Sequence, residues 1–296
     1  MQKILLAMVI LIFMGMLTAF LLMHNNSTTS VLTQPPITSI PFVTSANASA
    51  VLSPSATVSP SHTEQSKIII YGAYILNNNT WGAPPDEILT SGVYLNDDGT
   101  FGWYWNRQDP KTKADVNGIL PIYPSLRIGG NPWEQSKLAH FPIQLNAIKS
   151  LSFVVDYVYP EAPKGTYDLA YDLFFLDTDK SSEHPEIKTE VMIWLQGTIA
   201  QNPQTYKGEF TDGYNTYGLY SYVMSDGRLY DAFIMKGPPV FQAQYTINVK
   251  ALLDKLDLNP SWYLPGVELG NEVLNGSGKN AISKFAVDLN GSTIER

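Results

Sequence analysis

The chain has 296 residues, 44% of them apolar and 16% charged, with 19 Lys and Arg against 27 Asp and Glu for a net charge of −8. That length allows one large domain or two small ones around a sizeable core, and so few cations leave little to neutralise phosphates, which argues against a nucleic-acid partner. The absence of cysteine excludes disulfides, thiolate nucleophiles and cysteine zinc sites, and His24, His62, His140 and His184 show no metal-ligand spacing, so no cofactor is expected.

Residues 4–23 form an unbroken apolar run behind Lys3. Twenty residues in a helix span about 30 Å, enough to cross a bilayer, and the preceding lysine orients the remainder outward. The run is long for a signal peptide, and Leu17-Thr18-Ala19 is a poor cleavage site. Residues 1–24 are therefore either a signal peptide or a signal anchor, which makes the protein secreted or tethered at the surface, with membrane contact only through residues 4–23 if they stay attached. Residues 25–66 are rich in Ser, Thr and Pro, with no charged residue from Asn25 to Thr63. Pro35-Pro36, Ser53-Pro54 and Ser59-Pro60 disfavour helix, and such a segment buries too little apolar surface to offset its chain entropy. It reads as an extended linker. Asn26-Ser27-Thr28 and Asn47-Ala48-Ser49 are N-glycosylation acceptors where the host has the machinery.

Residues 67–296 read as one domain of short strands. Alternation is visible in Phe101-Gly-Trp103-Tyr-Trp105 and in Phe285-Ala-Val287-Asp-Leu289. Asp98-Gly99, Asp212-Gly213 and Asp226-Gly227 suit tight hairpins. One helix is expected, capped by Asn248, with Val249, Leu252, Leu253 and Leu256 at helical spacing. This pattern predicts an all-β fold: a jelly-roll sandwich of two antiparallel sheets with one helix and a concave substrate cleft.

No G-x-S-x-G, P-loop or G-x-G-x-x-G occurs, which leaves carboxylates to carry chemistry. In Thr189-Glu190-Val191-Met192-Ile193-Trp194-Leu195, strand alternation puts Val191, Ile193 and Leu195 on an aliphatic face and Glu190, Met192 and Trp194 on the other. An acid, a thioether and an indole suit the floor of a sugar cleft; from this strand alone, an outer-face glutamate beside packing residues is an equally good account. Asp172 lies among bulky apolar residues in Leu169–Phe174. The run Val267–Glu272 is read as a strand with Glu268, Gly270 and Glu272 on one face. Two facing strands that each present a carboxylate are what glycoside hydrolysis requires, one group to protonate the leaving oxygen and one to attack or to activate water.

These residues resemble glycoside hydrolase family 12, a group of β-jelly-roll endoglucanases. Asn78-Asn79-Thr80-Trp81-Gly82 is similar to the family's N-N-x-W-G, Ala170-Tyr171-Asp172-Leu173-Phe174 to its A-Y-D-L-F, and Glu190-Val191-Met192-Ile193-Trp194 to its E-[LVI]-M-I-W. Gly270-Asn271-Glu272 stands in the place of its G-T-E, departing from it at Asn271. The resemblance implies Glu190 as nucleophile, Glu272 as acid/base and Asp172 as a hydrogen-bonding neighbour of Glu190. It implies that Trp81 stacks a sugar, Asn79 bonds its hydroxyls, and Met192 and Trp194 line the cleft floor. Trp133 echoes a family position more loosely, as a sugar platform or a packing residue. The implied activity is retaining endo-β-1,4-glucanase on a β-glucan polysaccharide, by a monomer. Xyloglucanase or mixed-linkage glucanase activity remains open, as does a non-catalytic sugar-binding jelly roll, which would not need paired glutamates. A structural surface protein would account for the anchor and linker but not for the carboxylate strands.

Overall fold

A computed structural model describes residues 68–112 and 119–295. The apolar run and the expected linker, within residues 1–24 and 25–66, lie outside the described residues. Most of the strands fall into two sheets. In spatial order the first runs β1 (Ile68–Tyr71), β2 (Tyr74–Asn79), β5 (Tyr123–Gly129), β15 (Gly266–Gly270), β8 (Lys164–Leu176), β9 (Ile187–Gly197), β12 (Leu229–Met235), β11 (Thr216–Val223) and β10 (Tyr206–Thr211). Two short strands, β6 (Ile143–Gln144) and β14 (Tyr263–Leu264), pair beside β8. The second sheet runs β3 (Thr90–Leu95), β4 (Phe101–Arg107), then β16 (Val273–Lys279) and β17 (Ala281–Leu289) in succession, β7 (Leu151–Val158) and β13 (Gln242–Ile247), with β18 (Ser292–Ile294) against β17. Among these pairings only β12 with β9 is parallel.

Alternation explains why the layers meet. On β7, Leu151, Phe153, Val155 and Tyr157 turn inward and the residues between them outward, the period of a half-buried strand. Phe153 stacks on Tyr171 of β8 with ring centroids 4.5 Å apart, and Tyr171 on Phe285 of β17 at 6.0 Å. Trp103 and Trp105 are buried in the same core, where each large aromatic removed from water contributes on the order of 2–3 kcal/mol. Val191, Ile193 and Leu195 join this core as β9's alternation predicts, while Met192 and Trp194 belong to a second cluster with Ala170, Tyr230 and Ala232.

The three Asp-Gly pairs are hairpin turns, with Gly99, Gly213 and Gly227 at φ of 81°, 94° and 91°. No atom lies within 4 Å of a Cβ built on Gly213 or Gly227, so backbone sign rather than crowding asks for glycine there. The helix is Val249–Leu253; Asn248 Oδ1 accepts from the Ala251 N–H at 3.2 Å, and Leu256 lies beyond its end.

Two expectations are corrected. The run Val267–Glu272 is not one strand: β15 stops at Gly270, and Asn271 and Glu272 form the step into β16. The strands bearing the candidate acids do not face one another across the sandwich either; β15 and β9 flank β8 in one sheet. Faces can be read from side-chain period, but neighbours depend on pairings distant in sequence.

Candidate active site

β8 is the axis of the site. Its Leu169, Tyr171 and Leu173 enter the core, so Asp168, Ala170, Asp172 and Phe174 share the opposite face. On one side β9 sets Glu190 opposite Phe174, Met192 opposite Asp172 and Trp194 opposite Ala170. On the other, β15 sets Glu268 opposite Asp172 and Gly270 opposite Ala170. Acids from three adjacent strands thus share one patch. A cleft of about 600 Å³ opens on it, and its lining includes Trp81, Glu190, Trp194, Tyr222, Arg228 and Glu272.

Glu190 is buried, 8% exposed. The hairpin between β11 and β12 carries Arg228, whose Nη1 lies 3.0 Å from Glu190 Oε2 and whose Nε lies 3.1 Å from Asp226 Oδ2. Burial pushes the Glu190 carboxyl up to about 7, against the pull of Arg228, and the charges of Glu272 and Asp226 add to the rise. Glu272 is also raised by burial, with the neighbouring Asp168 carboxyl pulling it back. Asp172 is pushed well above the usual carboxylate range by burial, then by Glu190, Glu268 and Glu272, with Arg228 opposing. Its Oδ1 has no hydrogen-bond partner among the described residues. Nearby carboxyls in a desolvated patch cannot all ionise at neutral pH, so the patch can hold an ionised nucleophile and a protonated acid together.

Glu268 is held differently. Asn131 Nδ2 donates to its Oε1 at 3.0 Å, and Arg127 Nη1 lies 3.5 Å from the same oxygen. That amide and cation bind Glu268 on the far side of β15, and it is not among the residues lining the cleft around Glu190 and Glu272.

The other sequence candidates are scattered around this patch. Trp81 lines the cleft with 49% of its surface exposed, and Trp194 lines it while almost fully buried. Met192 lies beneath Tyr230, whose hydroxyl donates to Met192 Sδ at 3.0 Å. Asn79 Oδ1 accepts the Trp81 N–H at 3.2 Å and so shapes the turn that presents the indole. Trp133, 53% exposed, meets the edge of Phe174 with centroids 5.7 Å apart, outside the cleft lining.

Arg228, Tyr222, Tyr230 and Asp168 escape the sequence reading. Arg228 directly follows an Asp-Gly turn, and in a chain with 19 cations its partner depends on the parallel pairing of β12 with β9. Asp168 leaves a signal: it stands four residues before Asp172, so two acids share one face within the mainly apolar run Tyr167–Leu176. Asn271 is the observed departure from G-T-E. Its buried Oδ1 accepts from Trp103 Nε1 at 2.7 Å and from Asn280 Nδ2 at 3.2 Å, while its Nδ2 donates to the Asp168 carbonyl.

Comparison with known proteins accords with this architecture. The sequence profile of glycosyl hydrolase family 12 matches residues 72–290. Endoglucanase S of Pectobacterium parmentieri is 27% identical over 259 residues, an alignment covering 81% of this chain and 92% of that protein. A family 12 xyloglucanase from Bacillus licheniformis superimposes with a TM-score of 0.64 at 25% identity, covering 76% of this chain and 97% of that one. An endoglucanase from Rhodothermus marinus superimposes at 0.59 with 20% identity, covering 75% and 93%, a likeness of fold alone.

Proposed function

The chain belongs to glycosyl hydrolase family 12, and on that premise we propose that it cuts internal β-1,4 bonds of glucan by double displacement, with Glu190 as nucleophile and Glu272 as acid/base. The family is a retaining one that includes endoglucanases, and the protein is a glycoside hydrolase of the endoglucanase or xyloglucanase kind. The assignment of roles rests above all on one observation: Glu190 and Glu272 line the same cleft, both are raised by burial, and the charge of Glu272 adds to the rise at Glu190.

In the first step a Glu190 oxygen bonds to the anomeric carbon as that carbon's bond to the leaving oxygen breaks, and Glu272 transfers its proton to that oxygen. In the second, Glu272 removes a proton from water, the water oxygen bonds to the anomeric carbon, and Glu190 departs as carboxylate. Two inversions give retention. Arg228 favours the ionised form of Glu190 against the burial that raises its carboxyl. Asp172, its carboxyl pushed upward by burial and then by the neighbouring acids, stands beside the nucleophile. Trp81 offers an exposed indole face to a pyranose ring away from the reacting bond. The apolar run at residues 4–23 supports export, placing the catalytic domain outside the cell, free or tethered.

The name of the Pectobacterium relative favours unbranched β-glucan as substrate. Xyloglucan is the second reading, favoured by the Bacillus licheniformis likeness. Reducing-sugar release from carboxymethyl cellulose, barley β-glucan and tamarind xyloglucan decides between them. Faster turnover of the first two is expected; xyloglucan turned over tenfold faster than either moves the assignment to xyloglucanase. Proton NMR of the fresh product tests the mechanism. The β-anomer should appear first, and an α-anomer appearing first defeats double displacement.

A further inference from the structure

Glu272 lies in a short break of the ladder between β8 and the incoming strand. Gly270 pairs with Ala170 and Val273 with Tyr167, a register that places Glu272 opposite Asp168. The Asp168 N–H donates to the Glu272 carbonyl at 3.0 Å, as an antiparallel pair requires. The return bond is missing. The Glu272 N–H donates instead to the Asp168 side-chain Oδ1 at 2.9 Å, and the Asp168 carbonyl accepts from the Asn271 side chain. A carboxylate thus stands where the ladder has a backbone carbonyl.

Asp168 is fully buried. Across from it on β9 is Gly197, where a Cβ would come within 2.8 Å of Asp168 Cβ, so the missing side chain is what admits the carboxylate. Its Oδ2 has no hydrogen-bond donor among the described residues. Burial and then the charge of Glu272 push the Asp168 carboxyl well above its ordinary range, with the Glu272 N–H opposing.

We propose that Asp168 is a positioning residue for Glu272: by accepting the Glu272 N–H in place of the ladder carbonyl, it turns residue 272 out of the sheet and aims its carboxyl into the cleft. This rests on the reading of Glu272 as acid/base. It carries a consequence that mere support of the fold does not. Loss of Asp168 should impair the steps in which Glu272 moves a proton and spare the attack by Glu190.

The test compares kcat/KM, which reports the steps through formation of the glycosyl-enzyme, on barley β-glucan and on a 2,4-dinitrophenyl β-cellotrioside, whose leaving group needs no proton. Asp168→Ala should lower the glucan value about a hundredfold, at the low end for a general acid, and leave the dinitrophenyl value within about threefold. Asp168→Asn keeps an acceptor oxygen for the Glu272 N–H and should retain glucan activity within about tenfold of wild type. Equal losses on both substrates, no loss on either, or an Asn variant as poor as the Ala variant would each overturn the proposal. If Asp168→Ala does not fold, Asp168→Ser, which leaves a small polar side chain in the same place but lacks a carboxyl oxygen at the position of Oδ1, is read by the same criterion. Glu272→Ala run alongside separates the two inferences: absence of the split there defeats the acid/base assignment itself, whereas a split there but not at position 168 defeats only the role of Asp168.

Discussion

Two of the buried groups of charged side chains among the described residues are built in opposite ways. In the first, Arg107 Nε and Nη2 meet the two oxygens of Glu87 at 2.6 and 3.1 Å. The remaining guanidinium donors reach the carbonyls of Leu120, Val273 and Gly82 at 2.6, 2.8 and 3.4 Å. Glu87 also accepts the Lys111 N–H at 2.9 Å. Charges balance and donors are used. In the second group, Glu190, Asp172, Glu272 and Asp168 share a desolvated patch, with the Arg228 guanidinium 3.0 Å from Glu190. Asp172 Oδ1 and Asp168 Oδ2 have no hydrogen-bond partner among the described residues. A buried pair with every partner present holds a scaffold together, whereas crowded acids with too few partners oppose folding and keep proton affinities high. The two meet at one wall of the cleft: Gly82 follows Trp81, Leu120 lines the cleft, and Val273 follows Glu272. The closed cluster fixes the backbone from which the open one works.

Substitution separates the two behaviours. Glu190→Gln should lower glucan turnover by roughly a thousandfold or more, as loss of a covalent-step residue does. The same variant should melt several degrees higher at pH 8, because it removes a buried carboxylate that is raised in the fold. Residual turnover above about a hundredth of wild type would remove Glu190 from the nucleophile's role. Arg107→Met should do the reverse. Leaving Glu87 buried and unpaired costs about 3–5 kcal/mol, read as a lowered midpoint in urea, with turnover per folded molecule close to wild type. A variant as stable as the parent would show that the pair does not carry the wall.

Trp81→Ala sharpens the comparison at the solvent edge of the cleft. With 49% of its surface exposed, the indole contributes little to the core, so the melting temperature should hold. KM should rise about tenfold with a smaller fall in kcat, as expected for binding energy realised away from the reacting bond. An unchanged KM would make Trp81 a packing residue only.

The sequence reading succeeded where the signal was local. The two faces of β9, the Asp-Gly hairpins and the Asn248 cap follow from side-chain period and turn chemistry over a few residues. It failed where the answer lay in pairing. No periodicity places Arg228 beside Glu190, since that contact needs β12 to run parallel to a strand some forty residues earlier. Nor does alternation show Glu272 leaving the strand, because a side chain, Asp168, takes over a ladder bond there. The Asn271 that departs from the family pattern is the same residue whose amide ties that break to Trp103 of the second sheet and to Asn280 between β16 and β17.

The finest test bears on the pull that keeps Glu190 ionised. Burial raises its carboxyl to about 7, Arg228 lowers it, and Asp226 raises it. The nucleophile must be ionised, so the acid limb of kcat/KM follows this group in the free enzyme. Arg228→Met should therefore move the acid limb to higher pH by about one unit, lowering activity roughly tenfold at pH 6 and little at pH 8. Asp226→Asn should move it the other way. That residue lies in the turn and its Oδ1 accepts the Arg228 N–H at 3.2 Å, a bond asparagine can keep while no longer competing for the guanidinium. Stability follows the same linkage. A carboxyl raised in the fold holds its proton more tightly there than in the unfolded chain, so its contribution is full below about 4.5 and is lost as pH rises toward about 7. Arg228→Met extends that loss to higher pH, and melting temperatures recorded from pH 4 to 9 should diverge from wild type mainly at the alkaline end. Acid limbs that stay in place in both variants would show that Arg228 holds the hairpin without setting the charge of Glu190.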